Sequence, residues 1–100
     1  MNARIIDLPK IKDPRGNLSV IESCAQIPFA IKRTYLIYDV PGGQVRGAHS
    51  YRSQVEFIIS LSGSFDVHLD DGSEKEVFSM NRSYYGLFVP KMIWRSMKNF

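Results

Sequence analysis

The chain has 100 residues, 44% of them hydrophobic, and a formal net charge of +3 at pH 7. This length supplies one small hydrophobic core, so we expect a single domain over residues 1–100. Its lysines and arginines are scattered rather than clustered in a run, which argues against a nucleic-acid-binding surface and is compatible with a small anionic ligand.

Short runs of alternating apolar and polar residues dominate the chain and predict about eight short β-strands. The clearest of these runs, in chain order, cover residues 18–22, 31–38, 64–69 and 84–89. Turn-forming residues separate the runs at positions 14–17, 41–43, 62–63 and 70–72. Residues 22–27 can form at most one helical turn, because Pro28 follows them.

This pattern of short strands with glycine and proline between them predicts an all-β fold, an antiparallel barrel or jelly-roll sandwich. Such a fold often holds its ligand in the mouth or the interior of the barrel. The polar residues that face inward are therefore the candidates for function.

Residues 43–63 contain the polar side chains best placed to line such a pocket. His49 and Tyr51 are two residues apart on one predicted strand, so both point to the same face, and Glu56 lies on the next strand. We expect Glu56 to orient His49. One histidine and one carboxylate make a poor transition-metal site, and Arg95 adds a repelling cation, so we predict no metal and no other cofactor.

The spacing of residues 43–63 is similar to the first motif of the cupin superfamily, which usually has a second histidine at the position of Tyr51. Nearly the whole chain resembles a group of metal-free cupins, the WxcM-like sugar-nucleotide 3,4-ketoisomerases, which act on TDP-4-keto-6-deoxyglucose. The segments that carry this resemblance are DPRGNLSVIE, IPFAIKRTYLIYDV, RGAHSY, LSGSFDVHLDDG and GLFVPKMIWRSMKNF. The chain differs from the pattern at Tyr51 and Arg95, where the family has histidines.

The resemblance implies a cupin-type antiparallel β-barrel that moves a proton without a cofactor. A base takes the hydrogen at C3 of the sugar, and the proton is returned at C4 through an enediol. It implies His49 as the base and Tyr51 as a proton donor, because imidazole titrates near neutrality whereas an ordinary phenol is protonated at pH 7. The implied contacts to the diphosphate and the sugar are Arg15, Arg33, Tyr35, Arg46, Glu56 and Trp94.

Members of the family that the chain resembles usually continue for a few tens of residues past the segment that ends at Phe100. We therefore expect a barrel that is incomplete at its C-terminal end and has an unpaired edge. A homodimer with exchanged or edge-paired strands would cover that edge.

The main functional hypothesis is an isomerase that moves the ketone of a TDP-linked 4-keto-6-deoxy-hexose from C4 to C3. Its product would serve deoxyamino-sugar synthesis for a surface glycan such as the O-antigen of lipopolysaccharide. Two alternatives stay open: a catalytically impaired sugar-nucleotide-binding or interaction module, and a 3,5-epimerase-like cupin.

The sequence also bears on where the protein works. The lone cysteine, Cys24, cannot form an internal disulfide, and no segment has the apolar run of a signal peptide or a membrane span. We therefore expect a soluble cytoplasmic protein that contacts neither membranes nor nucleic acid.

Overall fold

The computed structural model describes residues 1–100, which form seven β-strands and no helix. The strands are β1 (Arg4–Asp7), β2 (Arg46–His49), β3 (Glu56–Ile59), β4 (Phe65–Asp70), β5 (Lys75–Met80), β6 (Tyr85–Val89) and β7 (Trp94–Lys98). The prediction of an all-β fold is confirmed. The chain offers no helix that could cross a lipid bilayer.

The strands form two antiparallel sheets. The three-stranded sheet has the order β1-β6-β3, and the four-stranded sheet has the order β2-β7-β4-β5. At the centre of the first sheet, Leu87 of β6 lies between Ile5 and Ile58 in the register. No strand pairing joins the two sheets, so the barrel is open, in agreement with the expectation of an incomplete barrel.

The core lies between the two sheets. Val67 and Leu69 of β4 point inward on alternate positions, and Leu87 and Val89 of β6 do the same from the other sheet. The complete buried cluster is Val67, Leu69, Met80, Leu87, Val89, Ile93 and Met97. The alternation that predicted β4 and β6 therefore marks the inward faces of both strands.

The hairpin between β4 and β5 follows the turn predicted at residues 70–72. The carboxylate of Asp71 accepts backbone hydrogen bonds from Glu74 at 2.7 Å and from Ser73 at 2.9 Å, and these bonds lower its pKa. Gly72 adopts a φ of 98°, a conformation that favours glycine. The carboxylate of Asp71 is therefore occupied by hydrogen bonds within the turn.

Two predicted strands are not present. Residues 18–22 contribute only one isolated bridge, at Leu18, and residues 31–38 form no strand. A strand needs a neighbouring strand to accept and donate its backbone hydrogen bonds, and no strand of this chain pairs with residues 31–38. Within this unpaired segment, Leu36 and Tyr38 are 64% and 75% exposed.

The packing of the core predicts the effect of truncating a side chain at its centre. Leu87 is fully buried, so Leu87→Ala should lower the free energy of unfolding by about 2–5 kcal/mol through lost contacts and a residual cavity. Leu61 is 63% exposed, and Leu61→Ala should change it by less than about 0.5 kcal/mol. Urea denaturation of both variants measures this difference, and equal losses would contradict the described core.

Candidate active site

Strand pairing brings His49 next to Arg95. The two residues are partners in the register between β2 and β7, and β2 has a bulge between Arg46 and His49. Arg95 is only 1% exposed, which is rare for an arginine. Its long side chain therefore points into the protein beside His49.

Every nitrogen of the Arg95 guanidinium has at least one hydrogen-bond partner. Its Nε and Nη2 donate to the two carboxylate oxygens of Glu56, with 2.7 Å between Nη2 and Oε2. Its Nη1 donates to the carbonyl oxygen of Gly47 at 2.8 Å. Its Nη2 also lies 3.0 Å from the hydroxyl of Tyr35 and 3.0 Å from Nε2 of His49. A two-pronged ion pair of this kind is the arrangement that makes a buried arginine tolerable.

The charges of this group are well defined. Burial alone would lower the pKa of Arg95, but the hydrogen bonds and the charge of Glu56 outweigh it and hold that pKa above its usual value. Burial of the hydroxyl, together with the negative charge of Glu56, raises the pKa of Tyr35 to about 12. Arg95 is therefore a permanent cation, and Tyr35 is a neutral phenol at physiological pH.

Tyr51 completes the group. Its ring meets that of His49 edge to face, with 4.7 Å between the ring centroids. The carbonyl oxygen of Tyr51 accepts a hydrogen bond from the backbone of Met92 at 2.6 Å, which ties it to the turn between β6 and β7. β2 ends at His49, so Tyr51 lies just beyond the strand on which it was predicted, but the two rings are in contact. The group, referred to as the His49 cluster, consists of Tyr35, His49, Tyr51, Glu56 and Arg95.

One expected contact within the His49 cluster is wrong. Glu56 was expected to orient His49 directly, but its hydrogen bonds go to Arg95 and, at 3.2 Å, to Tyr35. The physical reason is that a guanidinium matches a carboxylate with two parallel charged hydrogen bonds, which an imidazole cannot do. Glu56 therefore acts on His49 only through Arg95.

The hydrogen bonds and the ion pair of the His49 cluster include none of three predicted anion contacts. Arg15 is 91% exposed at its side chain and pairs with Asp13 at 2.9 Å in the turn before residue 17. Arg33 and Arg46 are exposed as well. Arg46 is in the same strand as His49, but no bond joins the two side chains, and the contacts of the three arginines to a ligand stay predictions.

Arg95 itself was not among the predicted site residues, although its position was noted as a departure from the family. The available signal was the alternation along β7, in which Arg95 shares the inward face with Ile93 and Met97, both buried. Trp94, a predicted substrate contact, is 50% exposed and lies on the opposite face of β7 from Arg95. Its proposed contact with the sugar also stays a prediction.

The His49 cluster is a poor place for a metal ion. It offers one imidazole and one carboxylate, and both oxygens of that carboxylate are bound to Arg95. Nowhere do three or more histidine, cysteine, aspartate or glutamate side chains group as ligands. A fixed cation beside His49 further disfavours a metal at this site.

Comparison with known proteins places this architecture in a family. The family described as FdtA: WxcM-like, C-terminal matches residues 1–100. The chain belongs to this family. It is also 37% identical over 100 residues to the TDP-4-oxo-6-deoxy-alpha-D-glucose-3,4-oxoisomerase of Aneurinibacillus thermoaerophilus, with 100% of this chain and 72% of the relative covered.

Solved structures of 3,4-ketoisomerases have the same fold. A histidine-to-asparagine variant of the enzyme from Thermoanaerobacterium thermosaccharolyticum, in complex with TDP-4-keto-6-deoxyglucose, gives a TM-score of 0.96 at 33% identity over 99% of this chain and 72% of that one. The TDP-quinovose 3,4-ketoisomerase of Campylobacter jejuni gives 0.94 at 41% identity, over 99% and 76% of the two chains. The predicted cupin-type fold and the predicted family are both confirmed.

The surroundings of Tyr35 predict its titration. Its folded pKa of about 12 exceeds the unfolded value of about 10, so its stabilising contribution is present below about pH 10 and is lost as the pH rises to about 12. NMR of protein labelled at the tyrosine ring carbons measures this titration, and Tyr35→Phe identifies the resonance. Ionisation of Tyr35 near pH 10 in the folded protein would contradict the described environment.

Proposed function

We propose that this chain is a sugar-nucleotide 3,4-ketoisomerase, which moves the ketone of a TDP-4-keto-6-deoxy-hexose from C4 to C3. The observation that carries the proposal is the contact of an imidazole with a phenol, His49 with Tyr51, in a chain related to such isomerases over its whole length. An imidazole and a phenol can serve as the general base and the general acid of an enediol mechanism.

His49 acts as the base in the proposed reaction. It takes the proton from C3, whose acidity comes from the ketone at C4, and the electron pair of the broken bond forms the C3–C4 double bond of the enediol. Tyr51 gives its proton to O4 as this bond forms. His49 then returns its proton to C4, and Tyr51 takes the proton of O3 as the ketone forms at C3, so both side chains end in their starting states.

The sugar nucleotide needs cationic contacts as well. We assign these to Arg15, Arg33 and Arg46, with Tyr35, Glu56 and Trp94 beside the sugar. The support is that arginine forks match phosphate oxygens and that the three arginines are exposed at the surface, although Arg15 also pairs with Asp13. The related enzyme of Thermoanaerobacterium thermosaccharolyticum has been solved with TDP-4-keto-6-deoxyglucose.

We also propose that a second copy of the chain is a partner. Residues 31–38 have no strand partner, and β2 is an edge strand of its sheet. The exposed apolar residues of this region are Ile31, Tyr35, Leu36, Tyr38 and Val45. A homodimer in which residues 31–38 are exchanged or paired with a partner's edge would satisfy the free backbone groups and cover these side chains.

We also propose a cytoplasmic setting for the enzyme. One cupin domain over residues 1–100 would carry the whole site, and the single cysteine, Cys24, is free and exposed, which suits the reducing cytoplasm. We propose that the enzyme's product supplies deoxyamino sugars to a surface glycan such as the O-antigen.

Isotope exchange tests the proposed reaction. Incubation of the protein with TDP-4-keto-6-deoxyglucose in D2O should place deuterium at C3 of the recovered substrate and at C4 of the 3-keto product, as read by NMR. Deuterium at C5 as well would indicate an epimerase. No uptake beyond a protein-free sample, together with retained TDP binding, would identify a non-catalytic binding module.

The matched control is His49→Asn, which removes the base and keeps a side chain of similar shape. The exchange rate should fall by about 10²–10⁴-fold, the usual contribution of a general base. TDP affinity measured by calorimetry should change little. Exchange that continues at the original rate in His49→Asn would assign the base to another residue.

Sedimentation tests the homodimer. The protein at micromolar concentration should sediment as a dimer, and Leu36→Asp, which puts a charge on the exposed apolar segment, should weaken the association. Lys32→Asp, a charge change on the same segment that replaces no apolar side chain, serves as the control. A monomer at every concentration would contradict the proposed assembly.

A further inference from the structure

The hydrogen bonds of Arg95 do not match its hydrogens one to one. Nη2 carries two hydrogens but has three oxygen or nitrogen neighbours: Oε2 of Glu56 at 2.7 Å, the hydroxyl of Tyr35 at 3.0 Å and Nε2 of His49 at 3.0 Å. Glu56 takes one hydrogen as part of the two-pronged ion pair. The second hydrogen is therefore shared between Tyr35 and His49.

The contact with His49 has only one possible direction. A guanidinium is always charged and has no lone pair to accept a hydrogen bond, so Arg95 can only donate. Nε2 of His49 must then be the acceptor, which means that it carries no proton. A neutral imidazole with an unprotonated Nε2 carries its hydrogen on Nδ1.

We propose that Arg95 is a positioning residue that holds His49 in the tautomer with the hydrogen on Nδ1 and thereby keeps Nε2 as the proton-accepting nitrogen. Glu56 neutralises the guanidinium, so Arg95 presents a donor to the imidazole without an uncompensated charge. Arg95 thus orients the base and does not itself touch the reacting carbons.

The backbone of β2 is shaped around this guanidinium. Gly47 has a φ of 70°, and its carbonyl oxygen accepts the hydrogen bond from Nη1 at 2.8 Å. A Cβ on Gly47 would overlap Nη1 of Arg95 and the end of Met97. The bulge that precedes His49 therefore requires glycine for two reasons, its conformation and the space that Arg95 occupies.

The consequence for catalysis rests on the proposed isomerase function. Nε2 can take the C3 proton only when the hydrogen of Nη2 leaves it, and the Tyr35 hydroxyl stands at the same distance from Nη2 as a second acceptor. A small shift of the shared hydrogen toward Tyr35 frees the lone pair of Nε2. Nε2 can then accept the C3 proton without movement of the ion pair.

The tautomer can be measured directly by NMR of protein labelled with ¹⁵N at histidine, at about pH 8, where an ordinary imidazole is neutral. His68→Gln separates the signals of the two histidines. The wild-type protein should show His49 with a protonated Nδ1 and an unprotonated Nε2. A wild-type His49 protonated at Nε2 would overturn the inference without any variant of the cluster.

Two variants test the cause. Arg95→Met leaves Glu56 without its partner, so it is combined with Glu56→Gln to avoid an uncompensated buried charge. In this double variant, the hydrogen of His49 should be found on Nε2, wholly or in part, and an unchanged tautomer would overturn the role of Arg95. Gly47→Ala, which displaces the guanidinium but keeps its charge, should change the tautomer in the same direction, and an unchanged tautomer would again overturn it.

The proposed tautomer and the proposed isomerase function can be contradicted independently of each other. A wild-type protein with the hydrogen on Nδ1 that exchanges no deuterium into the sugar would support the role of Arg95 and contradict the proposed reaction. A protein that isomerises the sugar with its resting hydrogen on Nε2 would do the reverse.

Discussion

The buried ion pair between Arg95 and Glu56 is the interaction on which the site depends. Two charges removed from water are tolerated only when each satisfies the other, and removal of one partner from such a pair typically costs about 3–5 kcal/mol. This pair connects β7 with β3, and the remaining donors of Arg95 reach β2 and Tyr35. The position of His49 is therefore set by a charge balance that spans both sheets.

The order of apolar, polar and turn-forming residues was sufficient to predict those parts of the fold that depend on residues close together in the sequence. Alternation predicted β4 and β6, and the turn-forming residues at 70–72 predicted the turn of the hairpin between β4 and β5. The same pattern was misleading for residues 31–38, because alternation reports which side chains prefer burial and says nothing about which strand lies alongside. Pairing depends on the whole chain, and here this chain supplies no partner.

The site was predictable to the extent that spacing determines direction. His49 and Tyr51 were expected on one face because they are two residues apart, and their rings are in contact. Arg95 was expected near His49 only as a cation that repels a metal ion, and its role was missed because a buried arginine is uncommon and the register between β2 and β7 is not readable from the sequence. The contacts of the exposed arginines could not be predicted, because the presence of a charge in the sequence does not say where the side chain points.

The bulge in β2 couples two positions that are far apart in the sequence. Gly47 makes room for Arg95, and Arg95 fills the space that glycine leaves. A shorter side chain at position 95 would remove one of the two overlaps, although the end of Met97 and the left-handed φ at position 47 would still favour glycine. Substitutions at these two sites are therefore non-additive, and homologues that replace the arginine have one constraint fewer on the residue before Ala48.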